Sequence, residues 1–413
     1  KTDYFHMFRN KTVQRQQIWL ACAILFSSTF IPTVFLQRLS YTKDFYGVDG
    51  RPILAAAREL AQGRNYFAYF RSDEQEMVGH INIRKMLPGF TPAWILLHVP
   101  AVKSGLSSDG LLTILALISA LSLALWFYTF IELVQILEIE VSLGQLVFFL
   151  LLAIFFLPFH EALFMGQPTP IVCLLITRAL LDLLRENHCW SALLVAVAGI
   201  IKIFPATMLL IFVLKRKWKA TALGLAFILL AHLPLLAVNS QILTSFVEES
   251  SRFAKDKTNR LLFMGVNKSI KAICLRLFDS FILGNLLCLS LLAGAAFVCY
   301  RTKDDSFWAR TKCYQTMWIA VLLQTPCLWR HHFSMVALSY FLFATIRPKW
   351  GAFFVALLYL DIAPDLLAGL SFNHPPSLIS ILLLAGYFSS NSSSLCKCRS
   401  NRFSELPALR KER

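Results

Sequence analysis

Hydrophobic residues along this chain gather in long runs, separated by short segments rich in Lys, Arg, Pro and Gly. Runs of about 20 apolar residues match a helix crossing the hydrocarbon core of a bilayer. These runs lack the two-residue alternation of barrel strands, so the pattern predicts membrane-spanning helices. Candidate spans are 18–36, 90–103, 110–133, 143–159, 168–184, 190–214, 218–238, 281–300, 313–328, 333–346, 350–370 and 377–389. The expected fold class is an all-α polytopic integral membrane protein with about twelve transmembrane helices. An even number of crossings puts both basic termini on the cytoplasmic side. Counted strictly, it also puts the Gly166-Gln167 turn on the cytoplasmic side and Lys202 in mid-membrane. Several runs are short or interrupted by proline: 90–103, Leu157-Pro158 to Pro168, and Phe204-Pro205. Such breaks are tolerated at membrane depth where backbone lines a cavity.

Two polar segments exceed the length of ordinary connections. One is 37–89, with charges of both signs and a helical pattern over 53–62; the other is 239–280, with Glu248, Glu249, Arg252, Lys255, Lys257 and Arg260. Loops beyond about 12–15 residues are usually functional or disordered, and the periodicity of 53–62 argues for order. Both are expected opposite the basic termini, within a single transmembrane domain over 1–395 followed by a basic cytoplasmic tail, 396–413. No internal repeat is visible, which disfavours the inverted-repeat architecture of many transporters.

Composition agrees with this picture. The 413 residues are 57% hydrophobic and 15% charged, with a mean hydropathy of +0.59; a soluble domain would be roughly 25% charged. The net charge of +16 is concentrated beside the apolar runs, as in Lys215-Arg216-Lys217-Trp218-Lys219 and Arg347-Pro348-Lys349. That placement follows the positive-inside rule and points to anionic membrane lipids as partners, not nucleic acid. Most of the ten cysteines lie in apolar runs, and Cys396 and Cys398 have no second pair, so neither disulfides nor zinc are expected. The basic N-terminal stretch with Arg9, Lys11 and Arg15 precedes no convincing cleavage site, so 18–36 is read as a retained anchor.

Four places carry candidate chemistry. Asp44 and Asp49 are the carboxylates that follow the first run. Either could act as a general base at the membrane surface; Asp49, followed by Gly50-Arg51-Pro52, could equally cap a helix, and Asp44 could be a solvated loop residue. Trp329-Arg330-His331-His332 joins two runs. Trp and Arg anchor at headgroups, while paired His beside Arg also suits a phosphate or a sugar hydroxyl. Lys202, within an apolar run, is either functional or snorkels to an interface. Gly265-Val266-Asn267-Lys268-Ser269 with Arg276 reads by itself as a polar loop entering a helix.

Taken together and in order, these residues resemble glycosyltransferase family 87, the polyprenyl-phosphate-mannose-dependent α-mannosyltransferases of the GT-C fold. The matching stretches are Ala56-Ala57-Arg58-Glu59-Leu60-Ala61-Gln62-Gly63 with Tyr66, Phe90-Thr91-Pro92, Gly166-Gln167, Ile201-Lys202-Ile203-Phe204-Pro205, Asn267-Lys268-Ser269-Ile270 with Arg276, and Thr325-Pro326-Cys327-Leu328-Trp329-Arg330-His331-His332. Thr91 stands where the family has Pro, and Leu328 where it has Ser. The family's Asp-Phe dipeptide is matched by Asp44-Phe45, but its spacing to the glycine is matched by Asp49.

The resemblance implies a membrane enzyme that moves a hexose, mannose first among them, from a polyprenyl-phosphate donor to a glycolipid or glycan hydroxyl with inversion. The base would be Asp49, or Asp44 in its stead. His331, His332, Arg330, Lys202, Arg276, Asn267, Gln167 and Tyr66 would bind donor phosphate and substrate. Neither metal nor cofactor is expected, and the active site would face the extracytoplasmic side of a plasma (inner) membrane. A carrier or flippase of a lipid-linked sugar, a GT-C enzyme with another polyprenyl sugar, and an oligosaccharide ligase stay open at this point.

Overall fold

The computed structural model describes residues 13–38, 47–71, 77–78, 81–82, 90–255, 269–302, 304, 306–325 and 330–346. Asp44, Asn267, the runs 350–370 and 377–389, and the tail 396–413 lie outside the described residues.

The described residues are overwhelmingly helical, as hydrophobicity and length demand; a two-residue hairpin, Met77–Val78 with Ile81–Asn82, is the sole strand pairing among them. Four helices are long and apolar enough to cross a bilayer: α1 (Arg15–Arg38), α6 (Ser108–Ile136), α12 (Trp218–Val238) and α15 (Phe281–Arg301). A bent pair, α7 (Leu143–Ile154) and α8 (Leu157–Phe164), qualifies as a fifth. Together with the composition, this makes the chain an α-helical membrane protein.

The 44° bend between α7 and α8 has a local cause. Pro158 has no N–H to give the carbonyl four residues back, Ile154. The His160 ring takes over, with Nε2 donating to that carbonyl at 2.6 Å. At its start α7 is fixed by a reciprocal box, Ser142 bonding the Gln145 N–H and the Gln145 side chain bonding the Ser142 N–H.

Around α6, the buried rings of Trp126, Phe130, Phe149, Phe159 and Phe341 meet mainly edge to face at 5.1–5.9 Å. Aromatic contacts of this kind add about 0.5–1.5 kcal/mol beyond burial. Two indole N–H groups in this core find partners: Trp126 Nε1 donates to Thr177 at 3.0 Å, and Trp318 Nε1 to the Met335 carbonyl at 2.8 Å. With lipid outside, close packing and internal hydrogen bonds hold such helices together.

Two expected spans are rearranged. The run 90–103 forms two five-residue helices, α4 (Pro92–Leu96) and α5 (Val99–Lys103), each about 7.5 Å long at 1.5 Å per residue. Prolines open both, and neither is a crossing helix. The run 190–214 is a hairpin: α10 (His188–Ile201) ends at Lys202, which is extended, and the chain returns through a 3₁₀-helix, Phe204–Leu209, and α11 (Leu210–Leu214). The two arms touch at Gly199, where a Cβ would stand 2.8 Å from the Ala206 Cβ. Removing one reversal at 90–103 and adding one at 202 shifts the intervening helices by one side. The Gly166-Gln167 turn and Lys202 therefore lie at the Asp49 end of the bundle, not on the far side and in mid-membrane. Because the shifts cancel, Asn239 returns to that same end, where its Nδ2 donates to the Gly63 carbonyl at 3.2 Å.

Candidate active site

At this end, α2 (Gly50–Ala61) packs against α3 (Tyr66–Arg71), α4, α5 and α6. Arg51 ties α2 to the start of α6 through Asp109 at 3.0 Å, and Arg58 bonds the Ser108 hydroxyl. The buried face of α2 holds Ile53, Leu54, Ala56, Ala57 and Leu60.

Asp49 precedes α2 but does not cap it. The two donors a cap would use are gone: the Arg51 N–H bonds the Gly47 carbonyl at 2.8 Å, and Pro52 has no N–H. A backbone strap holds the residue instead. The Gly47 N–H donates to the Phe164 carbonyl at 2.8 Å, and those of Asp49 and Gly50 both reach the Met165 carbonyl at 3.1 Å. Glycine makes the approach possible. Gly47 and Gly166 have φ of 65° and 71°, and a Cβ on Gly166 would lie 3.3 Å from Gly50 Cα. The strap delivers Gln167, whose Nε2 donates to Asp49 Oδ2 at 2.9 Å; its own Oε1 is buried without a partner among the described residues.

Lys202 closes α10 with its side chain turned inward, leaving the residue 4% exposed. Its Nζ lies 2.9 Å from His332 Nε2 and 5.3 Å from the centre of the Phe90 ring. An ammonium that donates to Nε2 requires a neutral imidazole protonated on Nδ1. The neighbouring backbone is fixed by Thr91, whose hydroxyl bonds the Ile200 carbonyl and accepts from the Trp94 N–H at 3.3 Å. Where the resembled family has Pro, this chain thus has a hydroxyl that clamps α4 to the end of α10.

Lys202 and Asp49 sense each other. Protein packed around Asp49 raises its carboxyl pKa above the ordinary carboxylate value; the Gln167 bond and the Lys202 charge pull it down, but burial prevails. The result is a partly exposed carboxylate that holds a proton more readily than a solvated one.

The structure thus brings Asp49, Gln167, Lys202 and His332 together from four distant stretches. Arg330 and His331 open the same 3₁₀-helix as His332, Arg330–Val336. Arg276 lies on α14 (Ile270–Phe278), which Ser269 caps and which packs on α15; burial lowers the pKa of its guanidinium. Tyr66 sits in the packing beneath α2, its ring wholly buried 4.3 Å from that of Phe67 and its hydroxyl without a partner among the described residues. Phe90, which seats the Lys202 ammonium, is the contact that residue-type reasoning missed; a single aromatic in an apolar chain gives no signal. Among the described residues, no three His, Cys, Asp or Glu side chains converge as a metal ion would require.

A membrane-embedded helical bundle carrying a carboxylate beside a buried lysine–imidazole pair defines a candidate group-transfer enzyme at the bilayer surface. The chain belongs to glycosyltransferase family 87, whose model matches residues 91–326, more than half of its length. It is therefore a membrane glycosyltransferase. The match includes Gly166-Gln167, Lys202 and Arg276, begins after Asp49 and ends before His332. No curated protein and no solved structure matches the chain.

The strap yields a first test. Gly166→Ala places a side chain at a positive φ against Gly50 and Leu112. Misplacement of catalytic groups by about 1 Å can lower rates by 10²-fold. We expect a folded protein whose kcat for sugar transfer falls by about that factor. Unchanged kcat would mean that the strap does not position the site.

Proposed function

We propose that the chain is a GT-C enzyme transferring mannose from a polyprenyl-phosphate donor to a hydroxyl of a glycolipid or glycan acceptor, with inversion. The observation that carries this reading is the convergence of Asp49, Gln167, Lys202 and His332 at one end of the bundle. The basic segment Lys215-Arg216-Lys217 falls at the opposite end, near Thr302, whose carbonyl accepts from Lys215 Nζ at 2.6 Å. By the positive-inside rule that opposite end is cytoplasmic, so the cluster faces the extracytoplasmic side of the plasma (inner) membrane. With the hairpin at Lys202, and with the apolar runs 350–370 and 377–389 read as spans from the sequence alone, this reading has twelve crossings.

In the reaction, Asp49 accepts the proton of the acceptor hydroxyl through Oδ1, while Gln167 holds Oδ2. The hydroxyl oxygen forms a bond to the anomeric carbon from the face opposite the phosphate. The bond from that carbon to the phosphate oxygen breaks, and its electron pair stays on polyprenyl phosphate. Lys202 and His332 stabilise the added charge, with Arg330, His331 and Arg276 as further cationic contacts. The phosphate leaves as a weakly basic anion, so no acid need protonate it. Gln167 Oε1, without a partner among the described residues, offers an acceptor to a sugar hydroxyl, Asn267 binds substrate from the second outer segment, and Tyr66 supports the wall behind α2. Asp44 is the alternate base.

Membranes incubated with labelled polyprenyl-phosphate-mannose should yield a labelled lipid or glycan product. Movement of the donor across proteoliposomes without any glycosidic product would overturn the proposal in favour of a carrier.

The pH profile gives a sharper check. A base works ionised, so kcat/KM rises with pH through the Asp49 pKa, which burial has lifted. The Gln167 bond favours the ionised form and lowers this pKa. Gln167→Ala therefore moves the acid limb to higher pH, beyond any loss in the plateau rate. A limb that stays in place, or moves down, would separate Asp49 from proton transfer.

A further inference from the structure

A cavity of about 310 Å³ lies at the other end of the bundle, between the first turns of α1, the last turns of α6 and the end of α9 (Thr169–Leu184). Its distance from the candidate active site follows from α6. Asp109, paired with Arg51 beside Asp49, and Glu132 of the cavity are separated by about 35 Å of helix axis at 1.5 Å per residue.

Among the described residues that line this cavity, two guanidiniums, Arg15 and Arg185, face one carboxylate, Glu132. Glu132 bonds Arg185 and is reached by Arg178 at 3.5 Å; Arg178 also pairs with Asp182 at 3.2 Å. Those four groups cancel. Arg15, at the rim, adds a positive charge that has no acidic partner among the described residues. Ile18 and Ile136 supply an apolar wall, and Tyr128 lies beside them, its ring stacked at 4.8 Å on Trp19, which is 52% exposed. An aromatic pair of this kind belongs where headgroups meet acyl chains.

One surplus guanidinium, a phenol and an apolar wall suit a monoanionic phosphodiester joined to glycerol and the first acyl carbons. We propose that this cavity seats the headgroup of an anionic glycerophospholipid, taken from the leaflet opposite the candidate active site. A zwitterionic lipid fits less well, because Glu132 already has two guanidinium partners and offers little to an ammonium. Free glycerol phosphate would leave the isoleucine wall uncovered.

The test uses the full chain, purified in neutral detergent and stripped of lipid, with binding followed by native mass spectrometry. Dihexanoyl-phosphatidylglycerol is compared with dihexanoyl-phosphatidylcholine and sn-glycerol 3-phosphate. The wild type should retain one phosphatidylglycerol in preference to both others. Arg15→Gln, a surface change, should weaken it on the order of tenfold, the worth of one charge-assisted hydrogen bond. Lys219→Gln, an exposed basic residue at the same end, and Asp49→Asn should leave it unchanged, so that this site and the transfer site fail separately. Equal binding by Arg15→Gln and the wild type, equal binding of phosphatidylcholine, or equal binding of glycerol phosphate would each overturn the proposal.

Discussion

Asp49→Asn should abolish sugar transfer while leaving the protein folded. General bases contribute about 10²–10⁴-fold to a rate, so activity in membranes normalised for expression should drop by about 10³-fold. The substitution is close to isosteric, and the asparagine oxygen can still accept from Gln167 Nε2. Its effect on stability has the opposite sign. Because burial raises the Asp49 pKa, the ionised carboxylate is disfavoured in the fold at neutral pH, and a neutral side chain relieves that penalty. Thermal midpoint should hold or rise as catalysis disappears, the signature of a residue kept for function. Asp44→Asn is the companion measurement. If transfer survived Asp49→Asn and vanished with Asp44→Asn, the base would be reassigned; survival in both would falsify the mechanism.

The second large effect is expected at Lys202. Its ammonium is buried against Phe90 and His332 and close enough to Asp49 to favour the charged carboxylate. Lys202→Met removes the charge while keeping much of the apolar stem. Losing one preorganised contact to developing charge lowers kcat by about 10²–10³-fold. The same change withdraws a positive charge from Asp49, so the acid limb of kcat/KM should move to higher pH as well. A merely structural lysine would lower stability without moving that limb. Retained kcat with an unmoved limb would exclude Lys202 from both tasks, whatever the thermal midpoint shows.

Much of the candidate site was legible as residue types in order along the chain. Asp49 stood out as a carboxylate after an apolar run, Lys202 as a charge within one, and His332 as part of a paired imidazole. Gly166-Gln167 entered through resemblance alone, since a Gly-Gln turn carries no intrinsic signal. Capping by Asp49 was an open alternative until the structure showed Arg51 bonded to Gly47 and Pro52 without a donor. Lys202 was open between a functional and a snorkelling residue, and its inward placement against Phe90 and His332, which are far away in sequence, was visible only in the structure.

Sequence by itself determined the class of protein, because apolar run length and charge content answer directly to bilayer thickness and solvation. It also determined the bend at α7–α8, where Pro158 removes a specific N–H. Which end of the bundle each turn occupies was decided by tertiary structure. Side depends on the parity of all earlier reversals, so one short run read as a crossing displaces every turn after it. The 90–103 run was read that way, and the hairpin at Lys202 was hidden inside 190–214. Hydropathy sums over a window and is blind to a reversal that close packing of Gly199 on Ala206 makes possible. Only the packed helices set Gln167 beside Asp49 and Lys202 beside His332, since these pairings join stretches more than a hundred residues apart.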